Sequence, residues 1–260
     1  MPFTPSHAVV ALPFVRTPLV SAAVAVGAMT PDLPLFLRGT FITYPGTHDL
    51  RWIVLTVVLA WVLLLVWRCV LRPAARELAP RWLAARLPGS WDDGPSQGWR
   101  ESAPLSPRPL LLLVISLAVG VASHIAWDAF THEGRVGVAL FPALDQQWGP
   151  LLGFKWVQHG SSALGLLILA IAGALWFRRR SRGPVHRMLP DAVRTAAWIS
   201  LPLALVVGWV GGLLAYGPLT ADFTVAHLAY RVLPPTCAVW ALLLLALCGW
   251  IALRRTRTRS

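Results

Sequence analysis

Residues 123–132 read SHIAWDAFTH and set His124, Asp128 and His132 four residues apart at the end of a long apolar stretch. Ionisable side chains are unfavourable in such a place and are kept there mainly for function. On a helix, four residues turn the chain by about 400° and raise it by about 6 Å. His124 and Asp128 therefore leave from nearly the same face and could grip one ion, with His132 one turn further along. Imidazole nitrogen and carboxylate oxygen suit a zinc-like cation, and two His with one or two Asp and an open position could hold an activated water. The same spacing on an arbitrary helix more often makes a hydrogen bond or an ion pair.

Further groups of the right type are scattered along the chain: His7, Asp32, His48 with Asp49, and Lys155, Gln158 and His159. Each alone has a plainer use. His7 could cap an interfacial helix beside Ser6, and Asp32 in TPDLP could stabilise a turn. His48 in YPGTHDL could be a loop histidine, and His159 in QHGSS could bond its neighbours at a helix end.

The elements that must position these groups are apolar helices. The chain is 56% hydrophobic and only 13% charged, with a mean hydropathy of +0.61, a balance that excludes an ordinary soluble domain. Runs long enough to cross a bilayer lie at 52–71, 109–130, 156–177, 195–216 and 236–253. The run 8–29 is also long enough, but Pro13, Arg16 and Pro18 interrupt it. A sixth span would put its ends on opposite sides of the membrane, whereas a hairpin bent at VRTP returns both to one side. The sequence thus predicts an all-α integral membrane helical bundle, one membrane domain over 1–260. It has about five transmembrane helices plus an N-terminal re-entrant or interfacial helical hairpin. The connection 73–108, rich in Pro, Gly and Ser, reads as an irregular loop with one short amphipathic helix.

Charge sets the orientation. All 23 basic residues except Lys155 are Arg, and they crowd the connections after the first and third spans and the tail at Arg254, Arg255, Arg257 and Arg259. The positive-inside rule makes those segments cytoplasmic, the C-terminus included, in a multi-pass protein of the cell membrane. Asp32, His48, Asp49, His124, Asp128, His132, Lys155 and His159 then share the outer side, while His186 falls in a cytoplasmic Arg cluster. His227 lies in the outer 217–235 connection. The net charge of +12 suits anionic lipid headgroups, so membrane lipids are the expected partners. Nucleic acid is excluded, because no basic stripe is interleaved with base-reading residues. No feature names a protein partner. Cys69, Cys237 and Cys248 lie in apolar stretches without CxxC spacing and read as buried thiols. The N-terminus has neither a basic n-region nor a small-residue cleavage site, so Met1 is expected to be retained.

In order, MPFTPSHAVVALPF, VGAMTPDLPLFL, His48, SHIAWDAFTH and VQHGSSALGL resemble an uncharacterised family of bacterial multi-pass membrane proteins of unknown function, over essentially the whole chain. A more distant likeness is to the membrane-bound metal-dependent hydrolases and, through them, to the zinc-dependent phospholipase C and nuclease group. That likeness implies that Asp32, His48, His124 and Asp128 are four ligands of one zinc or similar divalent cation. It also implies that His7 holds a further metal together with Asp128. The group's later His and Glu ligands have no clear match. His132 and His159 stand as additional ligands at other spacings, so one or two ions are expected. A shared ion requires His7 and Asp32 on the same side, which selects the hairpin.

The expected function is a membrane-embedded metal-dependent hydrolase acting on a lipid or lipid-linked (phospho)ester at the outer membrane boundary. Asp49 or Glu133 is the expected general base, and Arg135 and Lys155 are the expected anion clamps. One alternative is a non-catalytic protein stapled by a structural metal or polar cluster. Another is a small transporter, against which the middles of the spans are nearly free of ionisable groups.

Overall fold

Long uncharged runs of Leu, Val, Ala and Trp leave the backbone one way to pair its own N–H and C=O groups away from water, the helix. The computed structural model describes residues 3–37 and 40–257; Met1, the expected start, and Arg259 of the tail lie outside them. Among the described residues, five helices are long and apolar enough to cross a membrane: Leu50–Leu78, Pro107–Thr131, Gly153–Arg179, Asp191–Tyr216 and Val225–Thr256. In the third and fourth, only 6% of the apolar window is buried. So large an apolar surface facing outward fits lipid rather than water.

The chain folds as two compact units. The first comprises residues 1–34, 39–65 and 100–180. It begins with a 3-10 arm of 13 residues, Thr4–Arg16. After a break at residues 17–20 comes α1 (Ser21–Met29), 9 residues long. At about 2.0 Å per residue the arm extends about 26 Å, and at about 1.5 Å per residue α1 extends about 14 Å. Neither spans a hydrocarbon core of about 30 Å. They form the expected hairpin, bent just after Arg16 where Pro18 blocks helical continuation.

α1 packs against the arm and against the later helix α4 (Pro107–Thr131); α2 (Ile53–Leu65) packs against both α1 and α4, and α5 (Gly153–Arg179) against the arm. Two glycines set the α1–α4 approach. A Cβ on Gly27 would lie 2.4 Å from the Leu117 carbonyl oxygen, and one on Gly120 would lie 2.3 Å from that of Val24. Only glycine lets the two backbones touch there.

The second unit comprises residues 35–38, 66–99 and 181–260. The first span continues into it as a π-helical stretch, Val66–Leu71, followed by α3 (Arg72–Leu78) with Pro73 in its first turn, where the missing N–H is harmless. The segment expected to be an irregular loop with one short amphipathic helix holds three short helical pieces, Arg81–Ala84, Gly89–Asp93 and Pro95–Ser102. Proline or glycine opens or closes most of these pieces, which breaks the periodicity a sequence reading relies on. Helix α6 (Asp191–Tyr216) packs on α7 (Val225–Arg257), which runs through Pro234 and Pro235 and starts earlier than the apolar run beginning at 236. Ala74, Cys248 and Ile251 form a buried core of this unit, with Leu78, Leu189 and Leu247 around it. The three cysteines are free thiols, Cys248 buried and the other two partly so.

Candidate metal centre

Four elements of the first unit bring polar groups to one point. Helix α4 carries His124 and Asp128 on its buried face, one turn apart as the spacing requires. Beyond α1, the turn Thr30–Leu35 buries Asp32, with Pro31 and Pro34 restricting the backbone on either side. His48 follows a short helical turn, Tyr44–Thr47, whose N-cap Thr43 accepts from the Gly46 N–H. The Thr47 hydroxyl donates to the Pro31 carbonyl at 2.7 Å, tying the His48 turn to the Asp32 turn. The arm supplies His7.

Asp32, His48, His124 and Asp128 each offer one ligand atom, and these four atoms lie within 4.8 Å of one another. The separations are 3.1 Å between the two Nε2 atoms, 3.4 and 3.5 Å from them to Asp128 Oδ2, and 3.6 and 3.9 Å to Asp32 Oδ1. Tetrahedral ligation at 2.0–2.1 Å implies ligand–ligand edges of about 3.3–3.4 Å, close to this spread. All four residues are buried, His124 completely.

Hydrogen bonds on the far sides of the rings aim the donor atoms. His124 Nδ1 donates to the Ala28 carbonyl at 2.7 Å, and His48 Nδ1 donates to that of Tyr44 at 3.0 Å. A carbonyl can only accept, so each neutral ring carries its proton on Nδ1 and turns an Nε2 lone pair inward. Around the carboxylates, Thr4 Oγ1 donates to Asp32 Oδ2 at 2.6 Å, and Tyr44 Oη to Asp128 Oδ2 at 3.3 Å. Burial, then the charge of Asp128, pushes the Tyr44 phenol above its usual range, which keeps that donor protonated. Among the described residues, no Lys or Arg comes within ion-pair distance of Asp32 or Asp128. Two buried carboxylates and the two inward Nε2 atoms thus converge with no Lys or Arg beside them among the described residues, and removing two carboxylates from water costs several kcal/mol per ion unless positive charge completes the group.

His7 stacks on His124 with ring centroids 4.0 Å apart. Its Nε2 lies 3.8 Å from Asp128 Oδ1. Both atoms are buried and lack a hydrogen-bond partner. Burial first, and the neighbouring His124 next, lower the His7 pKa to about 4, so its ring is neutral at pH 7. The pair leaves two buried, unpartnered polar atoms facing each other beside the four-residue cluster.

Residues 1–248 match the family described as a domain of unknown function, DUF4184. The chain belongs to that family. No curated protein and no solved structure matches it. The match covers all five residues converging here, from His7 to Asp128.

The remaining candidates of this family member are placed as follows. His132 lies beside the centre, its Nδ1 3.5 Å from Asp128 Oδ2, with burial lowering its pKa. His159 is exposed, and Gln158, fully buried, points inward in its stead. Gln158 lies 3.5 Å from His132 Nε2 through its amide nitrogen and accepts from Lys155 Nζ at 3.2 Å, so Lys155 is engaged by Gln158. Asp49 caps the next turn and pairs with Arg51 at 2.8 Å, which holds its pKa low. Glu133 is exposed. Arg135 and Asp49 line a cavity of about 510 Å³ whose wall also includes His48 and Asp128. A second cavity of about 380 Å³, mostly apolar, reaches His7 between the arm, α4 and α5.

Sequence reasoning passed over Thr4, Tyr44 and the Gly27–Gly120 pair. Glycines on facing apolar helices were the available signal for the close approach that carries Ala28 to His124.

Proposed function

We propose that the chain is a membrane-embedded metal-dependent hydrolase whose centre lies at the outer membrane boundary and acts on a lipid or lipid-linked (phospho)ester. The observation that carries this reading is the convergence of four buried ligand-type atoms, two from His and two from Asp, with no Lys or Arg beside them among the described residues. Asp32, His48, His124 and Asp128 would hold one zinc-like ion, and His7 with the second oxygen of Asp128 would hold another. Such an ion lowers the pKa of a bound water and polarises a phosphoryl or acyl oxygen. The chain's own groups do the rest. Ala28 and Tyr44 fix the imidazoles through their carbonyls, and the Tyr44 and Thr4 hydroxyls orient the carboxylates. Arg135, on the wall of the larger cavity, receives the substrate's anionic group. Asp49 lines the same cavity and stays ionised, as a proton acceptor must, at some cost in basicity. The apolar cavity at His7 gives an acyl chain a place beside the centre.

A second reading has its own support: four protein ligands around one ion is the count of a structural site, which closes helix ends together without leaving an open position. Metal analysis of the detergent-purified chain, run beside a phospholipid turnover assay, separates the two. The hydrolase reading expects stoichiometric metal, lost in folded His124→Ala and Asp128→Ala, and turnover lost with it. Bound metal whose removal unfolds the protein, with no turnover in the loaded form, supports the structural reading. A folded wild type that takes up no metal defeats both.

A further inference from the structure

The second unit holds a separate basic cleft that plays no part in the metal centre. Its volume is about 350 Å³, within the range of small-ligand clefts, and its wall includes Arg81, Arg187, Arg194, Asp191 and Trp198. Of the three arginines, Arg194 is already paired with Asp191 and with the buried Glu77, whereas Arg81 and Arg187 have no carboxylate within ion-pair distance among the described residues.

Two of the three arginines are set in place by the fold. Arg187 donates to the Glu77 and Ala79 carbonyls at 3.2 and 2.8 Å, and Arg194 donates to Glu77 Oε1 at 3.1 Å. Burial, and then the charge of Arg194, hold the Arg187 guanidinium below its usual range, with Arg81 adding to the repulsion. Like charges fixed this close favour an anion between them.

The cleft also lies where apolar spans end. Leu78 closes one span and Asp191 opens another, and both residues line the cleft. Trp198 is 58% exposed and Ile199 is 55% exposed, which gives an apolar flank beside the charges. The Trp198 indole donates to the Leu78 carbonyl at 2.8 Å, which fixes the ring there. Clustered Arg next to exposed Trp and Ile at the end of a span has the chemistry of a headgroup site.

We propose that this cleft binds the phosphodiester headgroup of an anionic phospholipid, with Arg81 and Arg187 receiving the phosphate and its acyl chains lying along Trp198 and Ile199. A free phosphate shares the anionic chemistry but makes no use of the apolar flank. The test is native mass spectrometry of the full chain in nonionic detergent. It is offered dioleoyl phosphatidylglycerol or dioleoyl phosphatidylcholine, with inorganic phosphate as competitor.

The wild type should retain phosphatidylglycerol in preference, unmoved by millimolar phosphate. The Arg81→Gln/Arg187→Gln variant should lose about thirty-fold in affinity and Arg81→Gln alone about five-fold. Arg81 is exposed, so that single variant should keep the wild-type melting temperature. Arg178→Gln, an exposed arginine outside the cleft, should bind as wild type does. Equal retention of the two lipids, or undiminished phosphatidylglycerol binding by Arg81→Gln and the double variant, overturns the proposal. Displacement by inorganic phosphate that depends on Arg81 and Arg187 also overturns it, in favour of a soluble anion.

Discussion

Each of the two units buries a polar centre, and the two are completed in opposite ways. In the second unit, Glu77 is fully buried. Its Oε1 accepts from the Leu189 N–H and Arg194, and its Oε2 from the Met188 N–H and Arg255, at 3.0–3.4 Å. Arg255 also pairs with Asp92 at 2.6 Å, and Asp92 with Arg76. Every charge named there meets an opposite charge from the same unit. The centre of the first unit has hydroxyl donors but no Lys or Arg among the described residues, and its two Nε2 atoms crowd together against the carboxylates. A network closed by the protein's own groups serves the fold, whereas one closed only by something added points to a ligand.

Substitutions should separate the two centres. Glu77→Ala leaves Arg194 and Arg255 buried without their carboxylate, so unfolding in detergent should show a loss of about 3–5 kcal/mol. Metal content should not change; a parallel loss of metal would break the contrast. Gly120→Ala forces a methyl group against the Val24 carbonyl, only 2.3 Å away. Overpacking of that kind costs about 1–3 kcal/mol, and by displacing α1 it should also weaken metal binding through the Ala28–His124 bond. The control is Gly173→Ala on α5, where nothing lies within 4 Å and stability should hold.

Smaller effects sharpen the same contrast. Tyr44→Phe removes one hydroxyl from Asp128 and should weaken metal affinity about 10–100-fold while changing stability by only about 1 kcal/mol. Competition titration with a metallochromic chelator measures the first effect and thermal unfolding the second. His159→Ala should alter neither, since a substitution at an exposed position away from such features stays within about 0.5 kcal/mol.

The converging groups were legible where local geometry determines them. His124 and Asp128 share a helix face by periodicity alone, and the prolines around Asp32 announce a turn. His7 and His48 carry no such local signal, and their place came from likeness to a family rather than from spacing. The hairpin followed from Pro13 and Pro18 once a shared ion was required. At His159, choosing by residue type misled, because one position along a helix is a turn of about 100°. Phe154 and Gln158, four apart and both buried on α5, mark the inward face. The short helices of the 73–108 segment were hidden because none is long enough to show a period. The Glu77 network was equally hidden, since its partners come from more than 100 residues away.

X-ray absorption at the zinc edge, on wild-type chain purified without chelator and loaded with one equivalent of zinc, tests the central claim most directly. The account predicts nitrogen and oxygen scatterers alone at about 2.0–2.2 Å, with the outer-shell pattern of two or more imidazoles, and loss of that pattern in His124→Ala. Zinc that stays fully hydrated in a folded protein, or an imidazole pattern unchanged in His124→Ala, would contradict it.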